Sequence, residues 1–136
     1  MPITGQCLCG QVSYTVDADR LLTAVCHCKN CQRQSGSAYS ILSIAPRDKL
    51  SVEGLLKTYQ DTADSGAKLD RQFCPECGSA MFSVHPATPE TIIIKAGTFD
   101  DTSWLKPVAH VWCSSAQSWV KIDDNVTQFP ENAPSG

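Results

Sequence analysis

Long apolar runs are missing from this 136-residue chain, and the nearest approach, TIIIKAG at 91–97, is too short to cross a bilayer as a helix. The opening MPITGQCLCG has neither a basic start nor an apolar segment after it and is not expected to act as a secretory leader. Charge is scarce at 18% Asp, Glu, Lys and Arg, and the net charge is −3. That balance argues against a broad electrostatic hold on nucleic acid or an anionic membrane, and leaves room only for a local basic patch. Repeats, low-complexity blocks and runs of like charge are absent. The apolar fraction of 42%, slightly low for a globular protein, still lies outside the disordered regime. The expectation is one domain over residues 1–136, cytoplasmic and not membrane-bound.

What the chain does have is cysteine, eight of them. In a reducing cytoplasm these read as metal ligands rather than disulfides, and a disulfide framework stays open only for an exported protein. Around them the chain alternates with period two. Val12, Tyr14 and Val16 share one face of QVSYTV (11–16), and Gln11, Ser13 and Thr15 share the other. Further strands are expected at 39–44, 56–60, 71–74, 80–85, 91–96, 108–113 and 118–122, where β-branched and aromatic residues gather between Gly, Pro, Asp and Ser. Eight prolines spread through the connections break up any long helix. Only CKNCQRQSG (28–36) reads as a short helical turn, with Gly36 suited to a left-handed cap. The tail ENAPSG is expected to fray. The fold class is a small, all-β, mostly antiparallel domain with at most short helical turns.

Spacing sorts the cysteines. In CPECG, Pro75 and Gly78 favour a tight turn that puts Cys74 and Cys77 on one side, half of a structural zinc site. CLCG supplies the complement, because positions i and i+2 of extended chain point the same way and Cys7 and Cys9 can reach one ion. Zinc–sulfur bonds of about 2.3 Å in a tetrahedron leave the sulfurs ~3.8 Å apart, which both pairs can meet. The alternative is that one of the four is a buried thiol. CHCKNC (26–31) then holds Cys26, Cys28 and Cys31 as a local group of three. A rival pairing, with Cys26 and Cys28 completing the CPECG site, would strand Cys31 and leave Cys7 and Cys9 unpartnered.

Three protein ligands and one open position is the pattern of a catalytic zinc. Three thiolates outweigh the ion's double charge and leave about −1, so such an ion is a weaker Lewis acid than one held by imidazoles. It can still hold a fourth, external thiolate ionised at neutral pH. The charge count favours thiol chemistry over hydrolysis by metal-bound hydroxide.

These motifs, in order, resemble the glutathione-dependent formaldehyde-activating enzyme family: GQCLCGQVSY (5–14), CHCKNCQRQSGSAYS (26–40), RQFCPECGSAMF (71–82), AGTFDD (96–101), PVAHVWCSSAQSW (107–119) and FPE (129–131). The resemblance implies a tent-like, zinc-holding β fold. It implies a structural zinc on Cys7, Cys9, Cys74 and Cys77 and a catalytic zinc on Cys26, Cys28 and Cys31, in agreement with the partition from spacing. The implied activity is that of a carbon–sulfur lyase joining glutathione and formaldehyde as S-hydroxymethylglutathione. Non-enzymatic members exist, including a centromere-associated relative, so the resemblance fixes fold and metal more firmly than substrate.

Other residues carry weaker signals. His110 matches a family position and is the candidate catalytic proton shuttle; the plain alternative is a satisfied strand histidine. His27 lies between two ligands and should point away from the metal, bracing the loop. Cys113 departs from the pattern and reads as a core thiol, with ligation of the second zinc as the alternative. Glutathione carries two carboxylates, so Arg33, close to Cys31, is the candidate binding residue, followed by Arg71; surface solvation is the plain reading of each. Trp104, Trp112 and Trp119 suit a core or a pocket wall, and His85, before a proline, carries no signal. The expected partners are a small thiol and a small aldehyde. Two alternatives stay open: a non-enzymatic zinc domain that binds a thiol metabolite or a protein, and a lyase or hydrolase acting on another thiol adduct.

Overall fold

A computed structural model describes residues 2–63 and 65–133. The alternating segments form two sheets. A small antiparallel sheet has the order β1 (Ile3–Gln6), β2 (Ser13–Val16), β5 (Leu50–Glu53). The larger sheet runs β11 (Thr127–Gln128), β10 (Ala109–Val111), β3 (Leu22–Cys26), β4 (Ser40–Pro46), β9 (Thr91–Lys95), β8 (Ala80–Val84), β7 (Lys68–Phe73), β6 (Lys57–Thr62). The one helix, α1 (Lys29–Ser35), ends where Gly36 turns left-handed at φ 64° and returns its N–H to the Gln32 carbonyl. That is the cap the sequence predicts.

The sheets are mostly antiparallel, as expected, and β10 alone lies parallel to its neighbours β3 and β11. Two expectations need correction. Segment 118–122 is no strand: a turn there returns the Val120 N–H to the Gln117 carbonyl, 3.0 Å away. The start of the tail is tied down, since Glu131 O accepts from the Trp112 N–H and Asn132 Oδ1 from the Trp112 indole at 2.7 Å. Residues 134–136 lie outside the described residues.

The main core lies between the sheets. Val12, Tyr14 and Val16 meet Phe82, Ile92 and Ile94, all buried, and Tyr14 stands edge-on to Phe82 with ring centres 5.3 Å apart. An aromatic pair in that geometry adds about 1 kcal/mol to the area it buries. Trp104 closes the edge against Phe99.

Strand periodicity gives the large sheet a second face. In TIIIK, Ile92 and Ile94 enter the core, so Ile93 and Lys95 point the other way. Ladder partners carry that face across the sheet: Val111 beside Cys26 beside Ser40, Leu42 beside Lys95, and Ile93 beside Ser83 beside Arg71. The cavity that the three-cysteine group opens into lies on this face.

Candidate metal centres and active-site cavity

The first cysteine group joins two turns of similar build. Cys7 receives the Gly10 N–H on its carbonyl and Cys74 that of Gly78, with both glycines left-handed at φ 82° and 79°. Only residues without a Cβ adopt this freely, and it lets the chain wrap around sulfur. The Val12 N–H donates to Cys7 Sγ at 3.3 Å, and the Cys77 N–H to Cys74 Sγ at 3.5 Å. Sulfurs of Cys7 and Cys9 lie 3.6 Å apart, those of Cys9 and Cys74 3.8 Å, and all four within 4.8 Å of one another. These are the separations tetrahedral zinc imposes. Burial opposes a Cys7 thiolate, yet the Val12 N–H and the neighbouring thiols leave it below the ordinary thiol value. The Ser79 hydroxyl and N–H bring Cys77 down to about 5. Cys7 and Cys74 belong to the main core, so this centre is fused to the heart of the fold.

The second group sits apart. Cys26 ends β3, Cys28 caps α1 by accepting the Cys31 N–H at 3.2 Å, and Cys31 lies in the first turn. All three are buried, with sulfurs within 4.8 Å of one another. Thiols of Cys26 and Cys28 turned toward Cys31, helped by the charges of Lys95 and Arg71, outweigh burial and hold Cys31 down to about 3, while Cys26 is pushed up. Donor softness and spacing fit zinc here as in the first group. Among the described residues no fourth ligand atom joins these three. Cys113 does not: it opens a turn beyond β10, and its thiol faces the His110 carbonyl at 3.5 Å.

This group opens into a cavity of about 360 Å³. Leu42, Ile93, Val111 and Trp112 form its apolar wall, and Arg71, Ser83, His85, Lys95 and Asn132 its polar lining. Arg71 is buried and paired through Nε to Asp61 Oδ2 at 2.8 Å. Lys95, also buried, donates to Ser40 Oγ at 3.0 Å. Burial pulls the Lys95 ammonium below its usual value, and the Cys31 thiolate works the other way. Trp112 is the one non-glycine with positive φ among the described residues, at 57°. Such a conformation costs about 1–3 kcal/mol and concentrates at functional sites. Hydrogen bonds from the Trp112 N–H and indole to residues 131 and 132 hold it against the cysteines.

The weaker candidates fall in different places. His27 is fully buried, turned away from the cavity, and bonded through Nε2 to His110 Nδ1 at 2.9 Å. Burial keeps both imidazoles below their ordinary value, with the His110 charge a further cause at His27. His110 is therefore behind the metal loop; its strand neighbour Val111 is the one that lines the cavity. Arg33 is exposed and lines a separate shallow hollow with Lys29, Gln32 and Gln117. Trp119 is exposed, and its indole donates to Gln117 Oε1 at 2.6 Å. His85 does line the cavity, against the reading that it carries no signal.

Sequence reasoning missed Lys95, although its phase in TIIIK, opposite to Ile92 and Ile94, was readable. It also missed Gln32. That amide donates to the His27 carbonyl at 2.8 Å and the Ser115 carbonyl at 2.9 Å, and accepts from Gln117 at 3.0 Å, clamping the 113–117 turn to the metal loop. Gln32→Leu should cost about 2–3 kcal/mol in urea unfolding of the metal-loaded protein, because it orphans buried carbonyls.

The chain is mostly β and carries two separate cysteine groups that could each hold a metal ion, one of four sulfurs anchored to the core through Cys7 and Cys74 and one of three opening on a cavity. The family model for the glutathione-dependent formaldehyde-activating enzyme matches residues 2–115, and the chain belongs to that family. Two relatives carry the name "Putative glutathione-dependent formaldehyde-activating enzyme". One, from Halomonas elongata, is 29% identical over 129 residues, 90% of this chain and 82% of its own length. The other, from Talaromyces marneffei, is 29% identical over 112 residues, 80% of this chain. This chain spans only 59% of the Talaromyces protein. The crystal structure of a Rhodobacter sphaeroides protein has a similar fold, with a TM-score of 0.55 at 25% identity, covering 71% of this chain and 87% of that one. Among the described residues no helix is long and apolar enough to cross a membrane.

Proposed function

We propose that this chain is a carbon–sulfur lyase-type enzyme that makes or breaks the adduct of a small thiol and a small aldehyde, with glutathione and formaldehyde as the leading pair. The observation that carries the reading is the buried group Cys26, Cys28 and Cys31, three soft ligands facing a cavity that also holds two buried cations. A zinc ion bound there would keep an incoming thiol ionised and nucleophilic. In the addition the sulfur lone pair forms the C–S bond, the C=O π pair moves to oxygen, and that oxygen takes a proton.

The chain's own groups suit the rest of that task. Leu42, Ile93, Val111 and Trp112 exclude water around the reacting atoms. Lys95 and His85 carry transferable protons within the cavity, and Lys95 stabilises developing negative charge on oxygen. Arg71, oriented by Asp61, is the better carboxylate contact than Arg33, which faces a different hollow. His110 would act from behind the loop, orienting His27 between two cysteines rather than touching substrate. A cavity of about 360 Å³ falls at the small end of ligand sites.

The test is proton exchange NMR on zinc-loaded protein with glutathione and formaldehyde, following exchange between the aldehyde hydrate and the S-hydroxymethyl adduct. A rate proportional to protein concentration above the spontaneous one is expected. A rate equal to the spontaneous one rejects the activity, and a panel of other thiols and aldehydes then decides whether another pair takes its place.

A further inference from the structure

The two buried cations of the cavity are not equivalent. Arg71 already has its counter-charge in Asp61, 2.8 Å away. Lys95 has a hydroxyl, Ser40 Oγ at 3.0 Å, and among the described residues no carboxylate within ion-pair distance. Only 6% of Lys95 is exposed, so water does little to offset its charge. An uncompensated buried ammonium is costly, and such groups persist where a negative charge is held nearby. The ladder shows where that charge is. Ser40 is the direct cross-strand partner of Cys26, and Lys95 that of Leu42 one row along, so the ammonium reaches along the sheet toward the cysteine group.

We propose that Lys95 makes the fourth coordination position of the three-cysteine centre selective for anionic sulfur ligands over neutral nitrogen or oxygen ligands. This rests on reading Cys26, Cys28 and Cys31 as a metal centre that accepts an external thiol. The argument is one of charge. A divalent ion with three thiolates carries about −1, so a fourth anion brings the centre to about −2 while a neutral ligand leaves it unchanged. In a buried setting that difference favours the neutral ligand unless a fixed cation offsets it. Lys95 is the cation available, since the charge of Arg71 is largely offset by Asp61 and its guanidinium is the contact proposed for a substrate carboxylate. The same ammonium contributes nothing to a neutral ligand. Lys95 is thus a positioning residue whose signature is a ratio of affinities.

Cobalt(II)-loaded protein provides the readout. The four-cysteine centre is closed, so spectral change on adding ligand reports the open one. Wild type is titrated separately with 2-mercaptoethanol and imidazole, then Lys95→Met and Lys95→Arg likewise. Lys95→Met is expected to weaken the thiol by about ten- to a hundredfold, as loss of one nearby buried charge implies, and to leave imidazole unchanged. Lys95→Arg, which keeps the charge, should recover most of the thiol affinity. Retention of the four-cysteine cobalt spectrum shows that each variant is folded; should Lys95→Met lose it, Lys95→Gln takes its place as the neutral variant, with the same ratio expected. Equal weakening of both ligands, or no weakening of the thiol, overturns the inference while leaving the thiol site standing. A wild-type spectrum that ignores the thiol removes the thiol-site reading itself, and this inference with it.

Discussion

Cys74→Ser unfolds this protein or leaves it a loosely packed remnant at room temperature. Cys74 is fully buried, belongs to the main core, and shares its centre with Cys7 from the far end of the chain. A structural zinc site of this type contributes on the order of 10 kcal/mol to small domains, comparable to the whole 5–15 kcal/mol of a typical fold. Serine keeps the shape but gives up the soft anionic ligand, and it leaves a hydroxyl among apolar neighbours. Zinc stoichiometry and circular dichroism check it: bound zinc should fall and the unfolding transition should broaden or vanish. A variant that melts within a few degrees of wild type would mean that the metal does not tie the two turns together.

Cys31→Ser behaves in the opposite way. The sulfurs of Cys26, Cys28 and Cys31 form their own small cluster with Leu42, Val111 and Trp112, separate from the main core. Losing one ligand there costs about 1–3 kcal/mol in burial and hydrogen bonding, so the sheets persist. Adduct exchange above the spontaneous rate should fall by at least about a hundredfold, since loss of a direct ligand exceeds the 10–100-fold typical of groups one bond further out. The decisive comparison is between the two variants. If Cys31→Ser and Cys74→Ser melt alike, or lose activity alike while both stay folded, the division of roles is wrong.

The cysteine partition was legible because ligand spacing is local: C-x-C and C-x2-C pairs point their sulfurs together whatever the sheet does around them. Gly10, Gly78 and Gly36 were legible for the same reason, each meeting a turn requirement set within a few residues. The cavity was not legible. Its wall comes from β3, β4, β7, β8, β9 and β10, whose register no short window reveals. Strand β3 itself escaped notice because LTAVC lacks alternation and runs straight into CHC. Arg33 drew attention by nearness in sequence to Cys31. Two residues along a helix is a rotation of about 200°, which turns Arg33 away from the cavity. His110 has the same difficulty in strand form, since its neighbour Val111 takes the cavity side. Lys95, more than sixty residues from Cys26, Cys28 and Cys31 in sequence, left only its phase as a clue.

The parallel placement of β10 has a consequence for how the chain matures. Val111, Trp112 and Asn132 wall the cavity, yet they follow all three of its cysteines in chain order. During synthesis the sheet from β3 to β9 and the closed centre can assemble while Cys26, Cys28 and Cys31 still face solvent. Until residues 109–133 dock, Cys26, Cys28 and Cys31 lack the wall that Val111, Trp112 and Asn132 supply, and thiols left uncovered are open to peroxide.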